Sequence, residues 1–111
     1  MSEKLLIYQK LYDLVLVIYP YINRIPQSHR QVLGKHLEEL CISLLLLVIR
    51  ANKAKWGSRT TLQLKISDEL DSLRILIRLT KDLKFISVKQ YTFASEKVNE
   101  IGRMLHGWMK C

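Results

Sequence analysis

The chain has 111 residues, 49% of them hydrophobic and 25% charged, with 18 Lys and Arg against 10 acids for a net charge of +8. That length holds one domain with a core, and four glycines and two prolines are too few for an all-β sandwich or a glycine-rich phosphate loop. Two cysteines exclude a disulfide scaffold, and the basic excess points to a polyanionic partner, a nucleic acid or an anionic membrane surface.

Helix 1 is expected over residues 3–23, where Leu5, Tyr8, Tyr12, Val15, Tyr19 and Ile22 step by three and four into one stripe. Pro20 kinks or stops it, and Pro26 lies in the connection that follows. Helix 2 is expected over 29–53, with Leu33, Leu37, Leu40, Leu44, Leu47 and Val48 on one face. Residues 54–59 contain Trp56-Gly57-Ser58 and read as a loop. Helix 3 follows over 61–84, with Leu70, Leu73, Leu76 and Ile77 inward. After the link Phe85-Ile86, helix 4 runs over 88–109 on a face of Tyr91, Ala94, Val98, Ile101, Leu105 and Trp108. Ser28 with Gln31, Thr60 with Gln63, and Ser87 with Gln90 have the spacing of capping boxes, in which hydroxyl and amide satisfy orphan backbone donors reciprocally. The links are short, so successive helices are antiparallel neighbours. The expected architecture is all-α: one domain, residues 1–111, folded as an up-down antiparallel four-helix bundle.

The helices carry more apolar surface than one bundle needs. On helix 1, Leu6 and Val17 share a stripe with Lys10 and Asp13. On helix 2, Lys35, Glu38, Ile42, Leu45 and Ile49 form a stripe that begins charged and turns apolar, and the run Leu44–Ile49 is hydrophobic all round. Either helix 2 is the central helix of an irregular bundle, or Ile42, Leu45, Leu46 and Ile49 form a subunit interface of a homo-oligomer; the interface is the expectation carried forward. The run is far shorter than the roughly 20 residues of a membrane span. The opening stretch Leu5–Ile18 is interrupted by Gln9, Lys10 and Asp13, unlike a secretory signal, so a cytoplasmic protein is expected.

The positive charge is uneven. Residues 1–49 carry a net +1, residues 50–65 carry +5, residues 66–86 balance, and residues 87–111 carry +2. Arg50, Lys53, Lys55, Arg59 and Lys65 stand without an acid among them, at the end of helix 2 and the start of helix 3. Arg50 and Lys53 also complement the dipole of helix 2, a structural reason that does not reach the other three. Trp56 sits among them, either to stack on a base or to fold back onto the bundle as a hydrophobic plug, and the plug is preferred. Arg74, Arg78 and Lys81 share a face of helix 3, with Asp71 and Asp82 at pairing distance. That face reads as solvated ion pairs or as a set of phosphate contacts.

Catalytic chemistry is not evident. His29, His36 and His106 make no Glu-x-x-His pattern, and His36 with Glu39 is too little for a metal. No Cys and His pair has zinc-site spacing. Cys41, in a leucine-rich run, reads as a small buried hydrophobe, and Cys111 as a frayed end. No helix pairs a strongly basic face with an exposed aromatic one, which disfavours a membrane-surface role. A non-enzyme is expected, with no metal, no cofactor and no small-molecule substrate.

The segments Tyr19-Pro20, Ile25-Pro26, Leu33-Gly34, Ile49-Arg50-Ala51-Asn52, Leu73-Arg74-Ile75-Leu76-Ile77-Arg78-Leu79 and Ile101-Gly102-Arg103-Met104-Leu105-His106-Gly107-Trp108 span nearly the whole chain. In that order and spacing, the chain resembles the accessory variability determinant proteins of diversity-generating retroelements. These are related to four-helix-bundle proteins encoded in intervening sequences of large-subunit ribosomal RNA. The resemblance implies a ring-like homopentamer with a basic surface and a central pore. It implies association with a reverse transcriptase and its template RNA, and with the DNA copied from it, in support of mutagenic, adenine-directed reverse transcription. It implies no catalytic activity of the chain's own, and it matches Arg74 and Arg78 to basic positions of the family's third helix. A general RNA-binding role of the intervening-sequence type is the alternative.

Overall fold

A computed structural model describes the backbone of residues 3–110 and the side chains from Leu6 to Lys110; Leu5 of the first stripe and Cys111 lie outside the described side chains. Four long helices make the fold: α1 (Glu3–Asn23), α2 (Lys35–Lys53), α3 (Trp56–Asp82) and α4 (Val88–Met109). Each packs against two neighbours in the cyclic order α1, α2, α3, α4 and back to α1. The molecule measures 43 × 25 × 18 Å. Its long axis is set by α3, whose 27 residues span about 40 Å at the usual helical rise.

The direction of each helix follows from its contacts. Tyr21 Oη, near the end of α1, donates to the Gln90 carbonyl oxygen at the start of α4 (2.9 Å), while Lys10 pairs with Glu100 at 3.5 Å. As positions fall along α1 they rise along α4, so the two run antiparallel. Similarly, Lys81 of α3 lies over the ring of Tyr91 and Arg74 reaches Asn99.

Helix α1 is placed on the chain as expected, but its buried face is not the tyrosine stripe. Ile7, Leu11, Leu14, Val15, Ile18, Tyr21 and Ile22 face the core, whereas Tyr12 and Tyr19 are exposed and Tyr8 is half-buried. Both faces are apolar enough to satisfy a 3.6-residue period; the aliphatic-rich face goes inside, and the one tyrosine on it, Tyr21, has its hydroxyl satisfied by the Gln90 carbonyl oxygen. Pro20 is accommodated within α1, which runs on to Asn23.

The connection to α2 holds a second departure. Helix 2 is expected from residue 29, and the chain is helical without a break from Gln27 to Lys53, but its first turns are not regular α-helix. A short turn, Gln27–His29, leads into a π-helical segment, Arg30–Gly34, and only then into α2. Arg30 turns back across the end of α1: Nε and Nη2 donate to the Ile25 carbonyl oxygen (3.2 and 3.1 Å), and Nη2 also reaches that of Asn23 (3.2 Å). Carbonyls left without partners at a helix end thus gain a charged donor. Gly34 permits this arrangement, because a Cβ there would lie 3.1 Å from Arg30 Cγ.

The basic turn is shorter than expected. Ala54 and Lys55 are extended, and α3 begins at Trp56 rather than at residue 61. Thr60 therefore lies inside α3, where its hydroxyl donates to the Trp56 carbonyl oxygen at 3.3 Å, and it caps nothing. Ser28 likewise makes no cap. The Ser87–Gln90 box does form: the Gln90 N–H donates to Ser87 Oγ (3.0 Å) and the Ser87 N–H to Gln90 Oε1 (2.8 Å). Helix α3 closes through Lys84 in the left-handed region (φ 68°), with the Phe85 N–H donating to the Thr80 carbonyl oxygen at 3.1 Å. At that end of the bundle the rings of His29 and Phe85 lie 5.2 Å apart, joining the two connections.

Candidate nucleic-acid interface

The turn from α2 to α3 brings Arg50, Lys53, Lys55 and Arg59 near one end of the bundle, with Lys65 more than two turns into α3. Arg50, Lys53, Lys55 and Lys65 are exposed, with no ion pair among the described residues. Arg59 is half-buried, and its Nη2 donates to the Ala54 carbonyl oxygen (3.2 Å), tying the extended turn to the first turn of α3. Trp56 is 71% exposed and plugs nothing. Helix α3 begins at Trp56, so the indole stands on its first turn, next in the chain to Lys55 and one turn before Arg59.

The second predicted set divides by neighbour. Arg74 is held on two sides: Nη1 donates to Asp71 Oδ1 (2.6 Å) and Nε to Asn99 Oδ1 on α4 (3.2 Å). Lys81 meets Asp82 at 2.9 Å and lies 4.6 Å from the Tyr91 ring centroid. Arg78 remains the most open of the three, and its contact with Asp82 is long at 3.7 Å. These surface pairs are each worth a few tenths of a kcal/mol at most, about what solvent screening leaves. They orient the cations more than they stabilise the fold.

Between α3 and α4 runs an open groove of about 470 Å³ lined by Arg74, Asn99, Gly102, Arg103 and His106. Sequence reasoning did not single out Asn99, Arg103 or His106 as site residues. The signal was present, since they step by four and three along α4 and so share a face.

The proposed interface residues lie on the outward face of α2. Ile42 and Leu46 are 46% and 47% exposed, while Leu45 and Ile49 are half-buried. Ile42 and Leu46 floor a second groove, of about 620 Å³, with Tyr19 on the α1 side, Glu38 and Glu39 on α2, and Arg50 with Lys65 nearby. Exposed Tyr12 and Leu16 share the side of α1 that Tyr19 occupies, so the apolar surface extends over two helices. Burial, then the Glu38 carboxylate, raises the Tyr19 phenol above its ordinary range.

Among the described residues, no three His, Cys, Asp or Glu are arranged to hold a metal ion, and no helix is long and apolar enough to cross a membrane. The sequence model of a family described as bAvd-like matches residues 5–111. The chain belongs to the bAvd-like family. This family comprises accessory variability determinants of diversity-generating retroelements, which are non-catalytic accessory proteins. No curated protein matches the chain. The match reaches into all four helices, from the first turn of α1 onward, and includes the α3 and α4 segments that line the Arg74–Arg103 groove.

Proposed function

We propose that this bAvd-like protein is a homopentameric adaptor that binds the retroelement's reverse transcriptase and its template RNA, with the DNA copied from it, during mutagenic reverse transcription. The family match over residues 5–111 carries this reading. The unpaired cations at the α2–α3 turn supply contacts for phosphates, exposed Trp56 a stacking surface, and the apolar face of α2 a place for subunits to meet. Arg50, Lys53, Lys55, Arg59, Lys65, Arg74, Arg78 and Lys81 are the proposed nucleic-acid contacts; Ile42, Leu45, Leu46 and Ile49 are the proposed subunit contacts.

The test is co-expression of the tagged chain with the reverse transcriptase and template RNA of its retroelement. The expected result is a complex retained through sizing, whose RNA affinity falls steeply with salt as phosphate contacts release counterions. Recovery of the chain without polymerase or RNA at low salt refutes the adaptor reading.

A further inference from the structure

We infer that the α3–α4 groove is a phosphate subsite that holds one phosphodiester of a nucleic-acid strand. The inference rests on the nucleic-acid reading above and assigns Asn99, Gly102, Arg103 and His106 to it.

The groove is built around a guanidinium fixed in advance. Asp71 Oδ1 and Asn99 Oδ1 hold Arg74 Nη1 and Nε, so the plane of the group is locked across two helices. The free edge is Nη2, and Gly102 lies beneath it. A Cβ at Gly102 would sit 3.7 Å from Nη2 and meet nothing else nearby, so the absence of a side chain keeps that edge open. Asn99 accepts through Oδ1, which leaves its amide nitrogen as a donor. Arg103 and His106 are exposed on the same wall and have no ion-pair partner among the described residues.

The wall therefore offers donors from four side chains, and the ligand it fits is an oxygen-rich anion. Phosphate suits a preorganised guanidinium, because planar N–H forks match its oxygens and little rotamer freedom remains to lose. Asp71 sets the charge class. With Arg74 and Arg103 it leaves a formal +1, apart from His106, which matches the single charge of a phosphodiester better than the two of a phosphomonoester. The groove is open at its surface, so a strand can pass through it.

The probe is a short fluorescein-labelled oligouridylate, read by anisotropy across a salt series. Gly102→Leu fills the groove without changing charge, and it replaces a poor helix former with a good one. Arg103→Gln removes one cation. Lys89→Gln removes a cation that lies outside the groove. The two groove variants are expected to weaken binding about tenfold or more, the usual weight of a charged hydrogen bond. Arg103→Gln is also expected to lower the slope of log affinity against log salt by about one. Wild-type affinity in both groove variants overturns the subsite and leaves the adaptor reading standing. So does a loss in Lys89→Gln equal to that in Arg103→Gln. Absence of salt-sensitive binding by the wild-type chain overturns both.

Discussion

Cys41 illustrates how burial decides the chemistry of a single side chain. Desolvation, then the Glu38 carboxylate, pushes its thiol up to about 12. An unfolded thiol ionises near pH 8.5, and the thiolate is the nucleophile. In a Cys111→Ser background, a disulfide reagent at neutral pH is therefore expected to label Cys41 at once in denaturant and negligibly in the native state; fast native labelling contradicts the burial. The linkage has a definite sign. The folded-state pKa is raised, so this contribution to stability is fully present below about pH 8.5 and lost as pH rises toward 12. The sequence predicted that Cys41 is buried, because it sits in a leucine-rich run of helix 2. The burial of Leu11 and Ile18 over Tyr12 and Tyr19 was not legible in the same way. Two apolar faces on one helix satisfy one periodicity, and the choice between them is made by packing partners on other helices.

At the scale of the element, three stretches shared one capping pattern and one formed the cap. Ser87 follows a link that breaks the helix, so its backbone is extended (ψ 163°) and its hydroxyl can turn onto Gln90. Thr60 is already four residues inside α3, because the reversal takes place at Ala54 and Lys55. A cap needs a non-helical residue, and the pattern alone does not supply it. Ser87→Ala is expected to lower stability by about 1 kcal/mol in urea unfolding. Thr60→Ala is expected to lower it by no more than a few tenths, since its hydroxyl only bonds back within an intact helix. Equal costs at the two positions contradict the assignment.

The whole molecule was the most legible level. Four helices, their order and their antiparallel links followed from apolar spacing and short connections, and α1 and α4 occupy the residues expected of them. The α3–α4 groove was not legible as a site, because it exists only once Arg74 is set against Asn99, which lies 25 residues away along the chain. The apolar face was legible by half: the α2 residues were named, but their continuation onto Tyr12, Leu16 and Tyr19 depends on how α1 turns against α2. Light scattering at high salt is expected to give a mass near five times 13.1 kDa. Ile42→Asp combined with Leu46→Asp is expected to leave folded monomers, because it places charges on an exposed surface that assembly must dehydrate. A wild-type monomer contradicts the pentamer, and an oligomer that survives the double variant moves the contact away from α2.

The π-helical segment ahead of α2 has a consequence for how the chain tolerates changes in its length. A turn of this kind holds more residues than an α-turn while the backbone keeps advancing along nearly the same line. Elsewhere in these helices, one added or lost residue would swing everything downstream through about 100° and carry leucines out of the core. Between Arg30 and Gly34 one surplus residue is already absorbed, so loss of a single residue there would return the segment to an α-turn with the phase of Leu37, Cys41 and Leu44 kept. The segment thus adjusts the rotational setting of one helix to that of the next, while Arg30 and the buried Leu33 and Gly34 hold it in place.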